Sequence, residues 1–283
     1  MKNVVIVGKN SYIGASFNAY ARNRFNIRTI DAKDGKWKAF DFSNVDTLLH
    51  CAGIAHAAQK KNMRDFYNEI NCNLAVDVAK AAKVAGVRQF MFLSSMSVYG
   101  DAECEITAET KPNAIDFYGG SKLAAEKELQ KLAELNFSIC VLRPPMVYGY
   151  GCKGNFPRLV KLAQNLPVFP DVKNRRSMIY IDNLCEFLCR AIEENKSGIH
   201  FPQNAEYVNT TELVQIISGA YGKKIRTTQV FNPLIMVLTK NSKSFKKLFG
   251  NLVYVKTGDE ANYNVVGFKD GVIAAVLGES INK

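Results

Sequence analysis

No apolar run in this 283-residue chain approaches membrane-spanning length. The longest late run, residues 234–238, is far below the roughly 20 that a spanning helix needs. The opening run, residues 4–7, is too short for a secretory signal, and no small-residue cleavage site follows it. A soluble, cytoplasmic protein without an integral membrane segment is expected. Cysteine pairing is also missing. The seven thiols (Cys51, Cys72, Cys104, Cys140, Cys152, Cys185 and Cys189) are odd in number, and Cys185 and Cys189 have no matching pair elsewhere. That pattern speaks against a disulfide framework and against zinc, so no metal is expected and the thiols should be reduced and buried. Acidic residues are in deficit, 26 against 37 Lys and Arg, which leaves a net charge of +11. Such a surplus points to an anionic partner: nucleic acid, a membrane surface or a phosphorylated small molecule. The 47% hydrophobic and 22% charged content is that of an ordinary globular chain.

Short apolar runs alternate with helical patterns through the first half. Residues 4–7, 27–30, 38–42, 47–51, 89–93 and 138–142 read as strands, and 13–24, 65–85 and 119–135 as helices. Continuously apolar strands separated by helices imply a parallel sheet covered on both faces. The expected fold is therefore α/β, a Rossmann-like doubly wound parallel sheet with a smaller C-terminal substrate-binding lobe. Residues 1–165 would form the nucleotide-binding domain, with 177–198 returning to it, and 166–283 mainly the lobe. Within the later part, 179–192 and 210–221 read as helices.

Gly8-Lys9-Asn10-Ser11-Tyr12-Ile13-Gly14 follows the first strand and opens a helix. Gly8 permits a tight turn, and a helix N-terminus suits a pyrophosphate. Alone, this also describes an ordinary strand–turn–helix. Asp31 ends the second strand, where a carboxylate accepts hydrogen bonds from ribose hydroxyls. Tyr118 and Lys122 lie four apart at a helix start and share a face. A neighbouring ammonium lowers a phenol's pKa toward useful acid–base chemistry. Ser94 and Ser95 end the fifth strand, over the ligand edge of such a sheet.

Together these pieces resemble the extended short-chain dehydrogenase/reductase family of nucleotide-sugar epimerases, reductases and dehydratases. The resemblance rests on Gly8 to Gly14, Asp31, Asp41-Phe42, His50-Cys51-Ala52-Gly53, Asn71, Ser94-Ser95 to Val98-Tyr99-Gly100, Tyr118 to Lys122, Arg143-Pro144-Pro145 to Tyr148-Gly149, and Arg176. It implies that Ser95, Tyr118 and Lys122 are catalytic. It implies a cofactor site of Gly8, Asn10, Ser11, Tyr12, Ile13, Gly14, Asp31, Asp41, Phe42, Cys51, Ala52, Gly53, Asn71, Tyr118, Lys122, Pro144 and Pro145. Ser95, Ser97, Asn155, Arg158 and Arg176 would meet the nucleotide sugar, with Arg176 on the diphosphate. The cofactor would be NAD(H) or NADP(H), and Asp31 favours NAD(H) by a small margin. A homodimer is also implied, and no nucleic-acid partner.

Two departures from the family pattern stand out. Ser11 replaces a glycine, and the stretch between Asp31 and Thr47 is too short for the usual helix. Met96 and Ser97 stand where 4,6-dehydratases of the family carry Asp-Glu, which disfavours dehydration. Residues 154–159, 174–184 and 247–252 resemble a bacterial capsule and O-antigen branch of the family. That favours an NAD(P)H-dependent reductase of the C4 ketone of a UDP-4-keto-6-deoxy-N-acetylhexosamine in surface polysaccharide synthesis. The alternative is a UDP-sugar 4-epimerase with bound NAD. A non-catalytic NAD(P)-binding sensor ranks third, because Tyr118 and Lys122 are both kept. Lys240, Lys243, Lys246 and Lys247 form a basic cluster, read either as a solvated face or as a peripheral contact with the inner membrane face.

Overall fold

The computed structural model describes residues 1–55, 63–100 and 104–278; the side chains of Cys104, Lys243 and Ser244 lie outside what it describes. In chain order the strands are β1 (Asn3–Val7), β2 (Asn26–Ile30), β3 (Thr47–His50), β4 (Gln89–Leu93), β5 (Cys104–Ile106), β6 (Ser138–Leu142), β7 (Met146–Tyr148), β8 (Val168–Pro170), β9 (Met178–Tyr180), β10 (Gly198–His200), β11 (Arg226–Thr228) and β12 (Leu252–Tyr254). The helices are α1 (Tyr12–Ala21), α2 (Arg64–Asn68), α3 (Leu74–Val84), α4 (Phe117–Gln130), α5 (Asn155–Asn165), α6 (Ile181–Glu193), α7 (Thr210–Ala220), α8 (Asn232–Asn241), α9 (Lys243–Phe249) and α10 (Phe268–Leu277).

Two compact units share the chain. The first is Met1–Gly100, Pro112–Pro144 and Cys185–Pro202; the second is Asp101–Lys111, Pro145–Leu184 and Gln203–Lys283. The first unit thus leaves off at Pro144 and resumes at Cys185, where the sequence analysis draws 165 and 177.

The first unit is a six-stranded sheet in the order β10-β6-β4-β3-β1-β2, parallel throughout. From β1 the chain steps outward to β2, then returns to β3 and builds in the other direction. That reversal between β1 and β3 is the place where doubly wound sheets receive ligands, at the carboxyl ends of the strands. Each of Val5, Ile6, Val7, Leu48, Leu49, Phe90, Met91, Phe92, Val141 and Leu142 is at most 1% exposed. Burial on both faces explains why these strands read as continuous apolar runs.

One expected strand is absent. Residues 38–42 form no paired strand; Lys33–Ala39 forms a short 3₁₀ segment instead. Positive φ at Asp34 and Gly35 breaks the extension there. The segment still buries Trp37 and Phe42 in the core, and the Phe40 and Phe42 rings lie 5.0 Å apart, so its apolar spacing resembles a strand's. The sixth strand is β10, which pairs with β6. The helix expected at 65–85 is interrupted: a π-helical turn, Glu69–Asn73, separates α2 from α3. The later helix begins at Ile181 because Met178–Tyr180 is strand.

In the second unit the strands pair only in twos, β7 with β9, β8 with β11 and β5 with β12. Buried amide side chains join the connections between them. Asn204 accepts from the Tyr180 amide (3.0 Å) and from Asn183 (3.0 Å), and donates to the Tyr148 hydroxyl (2.9 Å). Among the described residues no helix is long and apolar enough to cross a membrane.

Candidate active site

The turn after β1 is shaped by Gly8 and capped by Ser11. Gly8 has φ +123°, and a β-carbon there would lie 2.8 Å from the Ala52 amide nitrogen. Only glycine lets the β1 turn approach the end of β3 so closely. Ser11 is the N-cap of α1, and its hydroxyl accepts from the Gly14 amide at 3.3 Å. Its departure from the family glycine thus exchanges a bare backbone for a cap. Asn10 is exposed, Tyr12 and Ile13 open the helix, and Gly14 is buried beside Ile6 and Cys51. A helix N-terminus with unsatisfied amides and a partial positive charge fits a phosphate-bearing ligand.

Beyond β3 the cradle continues through Cys51, Ala52 and Gly53. Burial pushes the Cys51 thiol up to about 12, so it stays protonated. A β-carbon at Gly53 would sit 2.9 Å from Asn71 Oδ1 and 3.2 Å from Lys122 Nζ, so the backbone is bare there by necessity. Asn71 is fully buried in the π-helical turn. It accepts from the Ile54 amide (2.8 Å), donates to the Ile54 carbonyl (3.0 Å) and donates to Ser121 Oγ (2.9 Å). It therefore ties the segment after β3 to the first turns of α4. Asp31 accepts from the Lys33 amide at 3.0 Å. Asp41 is exposed, and Ser43 holds its carboxyl below the usual range with backbone and hydroxyl hydrogen bonds. The Phe42 ring lies in the core, which leaves only its main chain to meet a ligand.

Ser95, Tyr118 and Lys122 come together in the first unit. Asp116 caps α4, accepting from the Gly119 amide at 2.7 Å, and so fixes where the helix carrying Tyr118 and Lys122 begins. Ser95 caps the 3₁₀ turn Met96–Tyr99, accepting from the Ser97 amide (3.1 Å) and donating to Ser97 Oγ (3.2 Å). The Pro144 carbonyl accepts from the Met96 amide at 3.0 Å and anchors the same turn. Pro145 opens the next stretch of the second unit. Burial raises the Tyr118 phenol, and a hydrogen bond with Ser95 pulls it back down. The expected lowering by Lys122 does not operate in this state. Lys122 Nζ instead donates to the Leu93 carbonyl (2.8 Å) and lies 4.6 Å from the Phe92 ring centre. Burial brings its ammonium down to about 8, against the opposing pull of Cys51 and Glu126.

Sequence reasoning missed a buried group directly behind these residues. Glu126 follows Lys122 by one helical turn and forms an ion pair with Arg143, their side chains 2% and 6% exposed. Arg143 also donates to the Tyr99 hydroxyl at 2.6 Å, and Ser94 donates to Glu126. The network joins α4, the end of β6 and both ends of the Ser94–Tyr99 segment. Its sequence signal was the spacing of four that continues from Tyr118 through Lys122 to Glu126. His50 carries part of the family resemblance, with no role attached to it. It is fully buried, stacks near Phe90 and Phe92, and neither ring nitrogen has a partner. Burial holds its pKa down at about 3.

The expected sugar-nucleotide residues Asn155, Arg158 and Arg176 belong to the second unit. Asn155 and Arg158 are exposed in the first turn of α5. Arg176 donates to the Gly250 carbonyl at 2.9 Å, just past α9, where helix carbonyls attract a cation.

Comparison with known proteins agrees with this frame. The family described as "NAD dependent epimerase/dehydratase family" matches residues 3–204. A UDP-glucose 4-epimerase of Vibrio cholerae is 31% identical over 86% of this chain and 76% of that protein. An N-acetyl-alpha-D-glucosaminyl-diphospho-ditrans,octacis-undecaprenol 4-epimerase of Escherichia coli O157:H7 is 23% identical over 83% of this chain and 77% of its own. Among solved structures, dTDP-4-dehydrorhamnose reductase from Bacillus anthracis in complex with NADP superposes with a TM-score of 0.75 at 18% identity, covering 99% of this chain and all of that one. The family match over most of the chain and the Vibrio relative lead to one conclusion: this chain is an enzyme of the NAD dependent epimerase/dehydratase family.

Proposed function

We propose that the chain is an NAD(P)-dependent 4-epimerase of a sugar carried on a diphosphate, with a UDP-sugar as the first candidate. The observation that carries this reading is the meeting of Ser95, at the cap of the Met96–Tyr99 turn, with the Tyr118 phenol in the first turn of α4, and Lys122 buried one turn further along. The resemblance of residues 154–159, 174–184 and 247–252 favours a 4-ketoreductase. Two relatives aligned over more than four fifths of the chain are both named as 4-epimerases, which moves the reading to the alternative.

The turn from Gly8 to Gly14 and the bare backbone at Gly53 fit a dinucleotide. Gly8, Asn10, Ser11, Tyr12, Ile13 and Gly14 would surround its pyrophosphate, and Asp31 its adenosine ribose. Cys51, Ala52, Gly53, Asn71, Lys122, Pro144 and Pro145 would border the remainder. When bound, the nicotinamide supplies the acceptor and donor of hydride at C4. Ser95 Oγ holds the C4 oxygen. Tyr118 Oη takes the proton of the C4 hydroxyl during oxidation and returns it during reduction, so no net proton is consumed. Lys122 orients the site from its hydrogen bond to the Leu93 carbonyl. Asn155, Arg158 and Arg176 would bind the sugar nucleotide.

The test is purified protein with UDP-glucose, UDP-N-acetylglucosamine or polyprenyl-diphosphate-linked N-acetylglucosamine, without added reductant, read by NMR of the product. C4 epimers are expected from at least one substrate. Tyr118→Phe should slow their formation by about 100-fold or more. Failure on all three, together with NAD(P)H consumption by a 4-keto sugar, would overturn the epimerase in favour of the reductase.

A further inference from the structure

Between Glu212 and Asp259 the sequence holds eight Lys and Arg residues and no carboxylate side chain. These 46 residues carry most of the chain's +11 surplus. They also hold a helix turned outward. In α8 only Ile235 is buried, at 8% exposure. Leu234, Met236 and Val237 are 58%, 65% and 56% exposed, and Val230 and Phe231 just before the helix are 79% and 49% exposed. At 3.6 residues per turn, roughly, Pro233, Leu234 and Val237 share one face, and Lys240 continues it. Apolar patches of this kind mark interaction surfaces in water-soluble folds.

The charges beside the patch select its partner. Lys224, Arg226, Lys240 and Lys247 are exposed, and Lys246 is half-buried. Asp171 accepts from Gln229 at 3.2 Å, and Glu260 accepts from the Thr257 and Gly258 amides at the far end of the stretch, 3.1 and 2.9 Å. Lys256 is turned away onto the Tyr207 ring and the Asn204 carbonyl. A second copy docked about a two-fold axis would set the same lysines against one another, because such an interface is self-complementary. Nucleic acid would take the lysines on its phosphates but would leave the aliphatic Leu234, Met236 and Val237 against a polar backbone. An anionic bilayer accepts both features: its acyl boundary takes the aliphatic side chains and its headgroups take the lysines.

We infer that α8 and the Val230–Phe231 approach to it dock this enzyme on an anionic lipid surface. The inference goes beyond the reaction proposed above and does not depend on it. The experiment is co-sedimentation of the full chain with vesicles of equal parts phosphatidylglycerol and phosphatidylcholine, against phosphatidylcholine alone. The expected result is binding to the anionic vesicles that is at least about tenfold stronger than to neutral ones and that falls with added salt. Leu234→Ser with Val237→Ser should weaken it about tenfold, as should Lys240→Gln with Lys247→Gln. All four positions are exposed, and circular dichroism checks the fold of each pair. Leu234→Trp gives a second readout: its emission should shift to the blue on adding anionic vesicles, while wild type, whose one tryptophan is the buried Trp37, should not shift. No sedimentation with anionic vesicles would overturn the inference. So would unchanged binding by both pairs, or a wild-type dimer that the Leu234→Ser, Val237→Ser pair dissociates.

Discussion

A β-carbon at Gly119 would lie 2.4 Å from the Ser97 carbonyl oxygen. That approach seats the first turn of α4 against the turn carrying Ser95, and it accounts for a glycine directly after Tyr118. Gly119→Ala must push the two apart. The expected outcome is a turnover loss of about 100-fold with substrate affinity much less changed, since a small misplacement of reacting groups is costly. Steady-state kinetics on the variant check it; wild-type turnover would show that the contact does not set the geometry. His50 is the second informative residue. Its two unpartnered nitrogens are a buried cost of about 1–3 kcal/mol, so His50→Leu should stabilise the protein at neutral pH. The sign with pH follows from its depressed folded pKa of about 3 against the ordinary 6.5. As pH falls from 6.5 toward 3 the unfolded chain takes up a proton and the folded one does not, so wild type loses stability that the variant keeps. Urea melts of both proteins across that range should diverge with falling pH.

At the scale of elements, α4 and the end of β6 are joined by the Glu126–Arg143 pair. Breaking a buried pair from one side leaves an uncompensated charge and costs about 3–5 kcal/mol. Glu126→Leu and Arg143→Met should each show that loss, and the double variant should lose less than either. Denaturant midpoints of the three variants test this; a double variant as poor as the sum of the singles would contradict it. The spacing of four from Tyr118 through Lys122 to Glu126 marks the face that carries the carboxylate, but the pairing itself depends on a partner 17 residues away across a strand. By contrast, β1, β4 and β6 are legible, since burial on both faces leaves each apolar after its first residue. Residues 38–42 mislead for the same physical reason: Trp37, Phe40 and Phe42 bury aromatic rings from an irregular segment and mimic a strand's spacing. With three residues, β10 has no period to read. The π-helical turn around Asn71 sits within a helical pattern that shows no break. The Gly8 turn, the Ser95 strand end and the Tyr118–Lys122 spacing were readable because each is short-range chemistry at an element boundary.

Across the whole molecule, the described cysteine side chains are thiols outside any disulfide, and Cys72, Cys140, Cys152, Cys185 and Cys189 are buried. Burial also pushes Cys140 and Cys189 up to about 12, so each is both shielded and protonated. Those five should react with a thiol label only after unfolding, as read by mass spectrometry of native and urea-treated protein; rapid native labelling of any of them would contradict the fold. The interleaving of the two units has a consequence for synthesis. The first unit is assembled from three stretches, and its last strand, β10, arrives only after α6 has carried the chain back from the second. While the ribosome is still delivering residues 143–197, β6 is an unpaired sheet edge, open to any strand that reaches it first. A nascent chain stalled in that interval would therefore be a sticky one, and slow translation there would favour aggregation over completion of the sheet.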